Sequence, residues 1–251
     1  MPYQKGYSVL PNLTKLGDEP IFQRDTQYDR YIEEKHKAVQ HQPCFLEHEM
    51  SADIYEPIVE FIVSRTDWVS ASTFESVAMQ LQEDVAILRI RDSRDWLAAC
   101  HICFPSDWRP EEKIGRPLRE IHAPIPGMNL ETSHKLATTM VHHGPFVRWV
   151  WSPVYEPTRI NYHPRTSKSH FDPANPCLHL KLERQVTHGF PDLGAALFIM
   201  RQQILPPEQI DFPALYKALS EMTPEEKIYK GVTNELLDWM RKQEETATGA
   251  D

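Results

Sequence analysis

The sequence predicts a single α+β domain, with helices at both ends and a mainly antiparallel sheet between them. Three observations carry that prediction. Near the N-terminus, Ile54, Ile58, Phe61 and Ile62 recur at helical spacing. In the middle, five stretches (84–91, 96–104, 146–155, 177–190 and 194–206) read as strands; Leu178, Leu180 and Leu182 alternate there with His179, Lys181 and Glu183. The turn Asp92-Ser93-Arg94-Asp95 joins the first two, and a short link joins the last two. Hairpins of that kind make antiparallel pairs, whereas parallel strands need long crossovers.

Residues 1–24 read as an extended, proline-punctuated lead-in. Asp25 or Thr26 is positioned to cap a helix over 27–41, which His41-Gln42-Pro43 ends. Ser51 is the expected cap of a helix over 52–64, and 74–81 forms a third, short helix. After the first hairpin comes a long excursion, 105–129, then a helix over 130–143 and the third strand. Residues 156–176 hold four prolines and read as a lid or insertion. Helices close the chain: 212–222 opened by Asp211, a second begun by Thr223-Pro224-Glu225-Glu226, and 234–243; the tail 244–251 is expected to be disordered. No repeat and no linker divides the chain. The expected organisation is one domain, 1–251, with a core over about 74–206 and helical extensions over 25–64 and 212–243.

Composition narrows the function classes. The 251 residues carry a formal charge of -9, and no Lys/Arg-rich stripe offers a nucleic-acid surface. Hydrophobic residues make up 41%, enough for a folded core, yet no apolar run approaches the ~20 residues of a membrane span. No apolar leader opens the chain, so a cytoplasmic protein is expected, with neither nucleic acid nor membrane as partner. No glycine-rich dinucleotide or triphosphate motif occurs. Cys100 and Cys103 form a C-x-x-C inside a strand-like stretch, where residues three apart face opposite sides, so they read as structural thiols. The twelve histidines match no metal-binding spacing.

The excursion stands out chemically. Between Cys100 and Asn129 it gathers Trp108, Arg109, Lys113, Gly115 and His122, and His122 precedes Ala123-Pro124-Ile125-Pro126-Gly127. Two prolines fix φ and remove two backbone donors, so a histidine there is held stiffly. A pre-ordered imidazole suits an axial metal or haem ligand; a hydrogen-bonded structural histidine is the other reading. Arg148, Arg184 and Arg201 lie in strand stretches, where an unpaired charge is expensive. Trp149 and Trp151 share one strand face and either wall a pocket or fill the core.

The blocks "CFPSDWRPEEKIGRPLREIHAPIPGMN" (103–129), "LQEDVAIL" (81–88), "VRWVWS" (147–152), "LERQVTHGFPDLGAALFIMRQQILP" (182–206) and "YKG" (229–231) resemble the DUF3445 family, the haem-dependent oxidative N-demethylase alpha-subunit-like proteins. With the opening segment, the resemblance covers about residues 7–240. It implies a PAS-like α+β fold, a b-type haem with its iron, and a monooxygenase or N-demethylase activity on an amine-containing small molecule. His122 then ligates the metal. Lys113, Arg148, Arg184 and Arg201 anchor the propionates or, for Arg148 and Arg184, serve catalysis on the distal side, and Trp151 lines the cofactor; carboxylates such as Glu183 and Asp84 are the alternative partners of the arginines. Molecular oxygen or peroxide and a separate electron-donating reductase are implied as partners, since the chain has no flavin or iron–sulfur motif of its own. The resemblance departs at Val147-Arg148-Trp149-Val150-Trp151, where Trp-Arg-x-Asn-Trp is expected and Val150 takes the Asn position. A PAS-like haem- or ligand-binding sensor or carrier without turnover is the alternative, because a fold does not settle a function.

Overall fold

The structure is a computed structural model and describes residues 1–7, 13–105, 108–123, 125–126, 130–155 and 170–248. The loop expected over 156–176 falls mostly outside the described residues, as does part of the excursion. In chain order the elements are a 3-10 turn at Pro2–Lys5, β1 (Thr14–Lys15), α1 (Tyr28–Ala38), β2 (Phe45–Glu47), α2 (Ala52–Ser64), α3 (Phe74–Gln80), β3 (Asp84–Arg91) and β4 (Arg94–His101). There follow α4 (Pro110–Lys113), α5 (Leu118–Ile121), α6 (Leu130–His142), β5 (Phe146–Val154), β6 (His179–Phe190), β7 (Ala195–Leu205), α7 (Phe212–Ser220), α8 (Pro224–Lys230) and α9 (Asn234–Thr248). The seven strands form one antiparallel sheet in the order β1-β5-β6-β7-β3-β4-β2. The expected α+β class is therefore observed, with two short edge strands, β1 and β2, that too few residues announce.

Element boundaries differ where side chains or turn geometry intervene. β4 starts at Arg94, two residues early, because Asp92 and Ser93 take left-handed φ values of 50° and 63° and close a tight two-residue turn. It stops at His101, three residues before the expected end. The backbone N–H groups of Cys103 and Phe104 donate to the Asp84 carboxylate at 3.0 and 2.8 Å instead of to a neighbouring strand. The tail expected to be disordered from 244 continues α9 to Thr248. Leu236 and Met240 anchor that helix at i, i+4, and Arg241, Lys242, Gln243, Glu244 and Glu245 are all good helix formers. Asp211 and Thr223 cap α7 and α8 as expected, Thr223 in a full capping box with Glu226.

The sheet is covered on both faces. On one face, α2, α3 and Phe22 of the lead-in pack Ile58, Ile62, Val77 and Leu81 onto Val85, Ile87, Val186 and Ile199. The C-terminal helices continue that layer, with Leu215, Leu219, Leu236 and Met240 against Leu180, Leu182 and Leu205. On the other face lies the connection from β4 to β5: α5 and α6 place Leu118, Ala137 and Val141 on Leu88 and Ala196. Beside them Trp108, Ile114 and Ile121 meet Cys100, Phe198 and Met200. Burial of this kind stabilises by roughly 25 cal/mol per Å² of apolar surface.

The packing of α6 has one narrow point. A Cβ built on Gly189 of β6 would stand 2.1 Å from the carbonyl oxygen of Val141 and 2.8 Å from that of Met140. Backbone cannot yield as a side chain does, so Gly189→Ala should lift the end of α6 and destabilise the fold by about 3 kcal/mol or more. Thermal unfolding of the variant measures this; a melting temperature unchanged from the wild type would refute it.

A second buried feature ties α1 to the sheet. Lys35 is fully buried; its Nζ donates to the carbonyls of Ala78, at 2.8 Å, and Glu83, and lies 3.7 Å from Asp84 Oδ1. One ammonium thus gathers α1, α3 and the start of β3, while Asp84 holds the exit of β4.

Candidate functional site

The excursion is rigid by construction. Gly115 N–H donates to Leu97 O at 2.8 Å and Leu97 N–H to Arg116 O at 2.9 Å, so the segment pairs briefly with β4. Gly115 needs its left-handed φ of 75° there, with the His48 ring 3.1 Å from where a Cβ would stand. Asp95 Oδ2 accepts from Leu118 N at 2.7 Å and pins the start of α5, which Pro117 precedes. α5 makes a single turn and ends on His122, whose N–H donates to Leu118 O at 3.0 Å and whose carbonyl accepts from Ile125 N at 2.8 Å.

His122 is thereby held against the face of the sheet that α5 and α6 cover. Its Nδ1 is buried and has no hydrogen-bond partner. Burial, then the Arg148 guanidinium, with a smaller push from Lys113, bring its pKa down to about 4 against an opposing backbone hydrogen bond with Leu118. The imidazole is uncharged at neutral pH. A neutral ring with a buried, unclaimed nitrogen is chemically fit to ligate a metal.

Arg148 belongs to the same face by strand alternation, in a row with Gln185 and Met200. Burial lowers its pKa, and Glu183 first, then Tyr7 and Tyr229, oppose that by stabilising the cation. Gln185 Nε2 donates to Glu183 Oε1. Tyr7 and Tyr229 are both pushed up, mainly by burial. Lys230 closes the edge of β5: its Nζ donates to Trp151 O and Ser152 Oγ, each at 3.0 Å, and lies 5.1 Å over the Tyr7 ring. Phe198, Met200, Ile114 and Ile121 supply the apolar surface nearby.

The structure brings together three of the residues singled out from sequence, His122, Lys113 and Arg148, and separates them from the other three. Arg184 pairs directly with Trp149 on one side and Arg201 on the other, so all three project from the opposite face. Arg184 is 2% exposed and donates to the carbonyls of Ile21 and Pro20 and to Glu19 Oε2. Arg201 donates to Gln23 O and Asp25 Oδ2. One flat cofactor cannot meet His122 on one face and these two guanidiniums on the other. Both arginines hold the lead-in, and their carboxylate partners are Glu19 and Asp25 rather than Glu183 or Asp84. Trp151 is buried, meets the Tyr3 and Tyr7 rings edge-on, and lies on the face opposite Arg148. Trp149 stays 44% exposed instead of filling the core.

Sequence reasoning missed Tyr7, Tyr229 and the placement of Glu183, which come from three distant segments. The two cysteines of the C-x-x-C part company: Cys100 packs with Ala86 and Leu97, Cys103 with Cys44 and Phe104. Burial pushes the Cys100 thiol up to about 12, and a hydrogen bond with Cys44 followed by burial raises Cys103. Both are poor nucleophiles. Among the described residues no group of three or more His, Cys, Asp or Glu is placed to hold a metal ion. A haem asks for an axial side chain and not for such a cluster. No helix among the described residues is long and apolar enough to cross a membrane.

Fold and site together define an α+β protein whose candidate ligand residue lies under the helical crossover of an antiparallel sheet. Within that class, the family model for the haem-dependent oxidative N-demethylase, alpha subunit-like proteins matches residues 60–236, more than half of the chain, and the protein belongs to that family. The match contains Lys113, His122, Arg148, Trp151, Arg184 and Arg201 and begins after the lead-in.

Proposed function

We propose that the protein binds haem b on the face of its sheet that α5 and α6 cover and oxidatively removes an N-methyl group from a secondary or tertiary amine. The observation that carries this reading is the half-buried, neutral imidazole of His122, whose Nδ1 is buried without a hydrogen-bond partner, beside two cations. His122 would hold the haem through its iron, and Arg148 and Lys113 would hold its propionates by charge-assisted hydrogen bonds. The fold class agrees with a PAS-like sheet: the five long strands, numbered among themselves, run 2-1-5-4-3, with the helical connection crossing one face.

When bound, the haem supplies oxidation of the substrate's N-methyl group by molecular oxygen, with two electrons and two protons, giving the demethylated amine, formaldehyde and water. A separate reductase supplies the electrons. The chain's own residues order the surroundings. His122 stays uncharged down to acidic pH, so its lone pair is available. Glu183 balances Arg148 and is itself fixed by Gln185. Lys230 seals the β5 edge and holds Tyr7 in place.

Val150 favours a second reading. It lies on the Arg148 face, paired with Glu183, where the family resemblance leads one to expect Asn. An apolar side chain there offers substrate no hydrogen bond, as befits a haem-binding sensor or carrier. Incubating the haem-loaded protein with methylamines, oxygen and a reducing system distinguishes the two. Steady formaldehyde release over many turnovers is expected; a haem protein that releases none would refute the demethylase reading and leave the carrier.

A further inference from the structure

The opposite face of the sheet holds a cleft of about 520 Å³, a size typical of small-molecule sites. Its floor is the row Trp149, Arg184, Arg201 across β5, β6 and β7. Its walls are Trp68 and the lead-in residues Pro20, Phe22, Gln23, Arg24 and Asp25. Like charges directly opposite each other on neighbouring strands repel; burial first, with a smaller push from Arg201, lowers the pKa of Arg184 against Glu19 and Glu83. Arg184 and Arg201 pair with Glu19 and Asp25, the buried carboxyl of Glu83 lies close to both, and Arg24 adds a third guanidinium to the lining.

Two donors at this cleft remain unpaired. Arg184 Nε and the indole Nε1 of Trp68 are buried without a hydrogen-bond partner, and both side chains line the cleft. Buried donors are normally satisfied, and an unsatisfied one calls for an explanation. Trp149, 44% exposed, presents an aromatic face beside the guanidiniums. Three guanidiniums, two donors without a partner and two indoles around one small volume suit a flat ring carrying an acidic group. The lining holds no His, Cys, Met or Tyr among the described residues, so nothing there could ligate a haem iron.

We propose that this cleft is a second site, separate from the His122 face, which binds a small aromatic carboxylate. The ring stacks against Trp149, and the carboxylate meets the Arg184–Arg201 pair.

Calorimetric titration of the full chain with 2-naphthoate tests this. One saturable site is expected, with methyl 2-naphthoate, which has the same ring and no charge, binding at least about tenfold more weakly. Trp149→Leu and Arg201→Gln should each weaken 2-naphthoate by about tenfold. Trp149 is exposed, so its variant keeps the fold; should Arg201→Gln fail to fold, the ester and Trp149→Leu suffice. His122→Ala should leave the affinity within about twofold, because it alters the other face; this separates the proposal from the haem reading. No saturable heat at millimolar ligand, an ester that binds as tightly as the acid, or an unchanged affinity in Trp149→Leu would each overturn it.

Discussion

His122→Ala should abolish haem retention while leaving the fold intact. Altering only the outer partners of a metal ligand commonly costs about 10–100-fold in affinity, so removing the ligand should cost more than about 100-fold. The side chain's Nδ1 makes no hydrogen bond and the residue ends a one-turn helix, so the melting temperature of the haem-free protein should move little. Absorption at the Soret band after reconstitution reads the first effect and thermal unfolding the second. Added imidazole should restore part of the band by filling the vacated position. The pH dependence carries a sign as well. Ligation needs the uncharged ring, and burial together with Arg148 holds the pKa near 4 instead of 6.5. Haem binding by the wild type should therefore stay flat from pH 7 to about 5 and fall only as pH approaches 4. An unchanged Soret band in His122→Ala would remove this residue from the ligand position.

Lys35→Met should cost about 3–5 kcal/mol of stability. The substitution keeps most of the apolar stem and deletes the ammonium, leaving Asp84 buried with no cation and the carbonyls of Ala78 and Glu83 without their donor. For a chain of this size a loss of 1 kcal/mol lowers the melting temperature by roughly 2–4 °C, so a fall of roughly 10 °C is anticipated. Pairing Lys35→Met with Asp84→Asn should lose less than the two single changes added together, since the double variant removes both members of the ion pair. Additive losses would show that the two residues do not act as a unit.

The fold class was readable because periodicity is a local property. Ile54, Ile58 and Ile62 mark α2 with no knowledge of what they pack against, and Leu178, Leu180 and Leu182 mark β6 in the same way. The edge strands were not readable: Thr14–Lys15 and Phe45–Glu47 are extended only because β5 and β4 offer them partners. The exit of β4 was misplaced for a similar reason, since the Asp84 carboxylate that captures Cys103 and Phe104 lies on another strand. For the site, the rigidity of the His122 segment could be read from its prolines. Which arginine faces His122 could not, because that depends on register across three strands. Trp149 and Trp151 could be assigned to one face, but only the packing of Tyr3 and Tyr7 shows why one is buried and the other open.

That register has a consequence for altering the protein. Arg148-Gln185-Met200 and Trp149-Arg184-Arg201 are adjacent rungs of one ladder, a single residue apart on every strand. Deleting or inserting one residue within β6 would leave its hydrophobicity and strand character nearly unchanged. It would nevertheless exchange the two chemistries, turning Arg184 toward His122 and Glu183 toward the lead-in. Length changes in the central strands are tolerable only in pairs, and redesign of either face is safest by substitution at alternate positions.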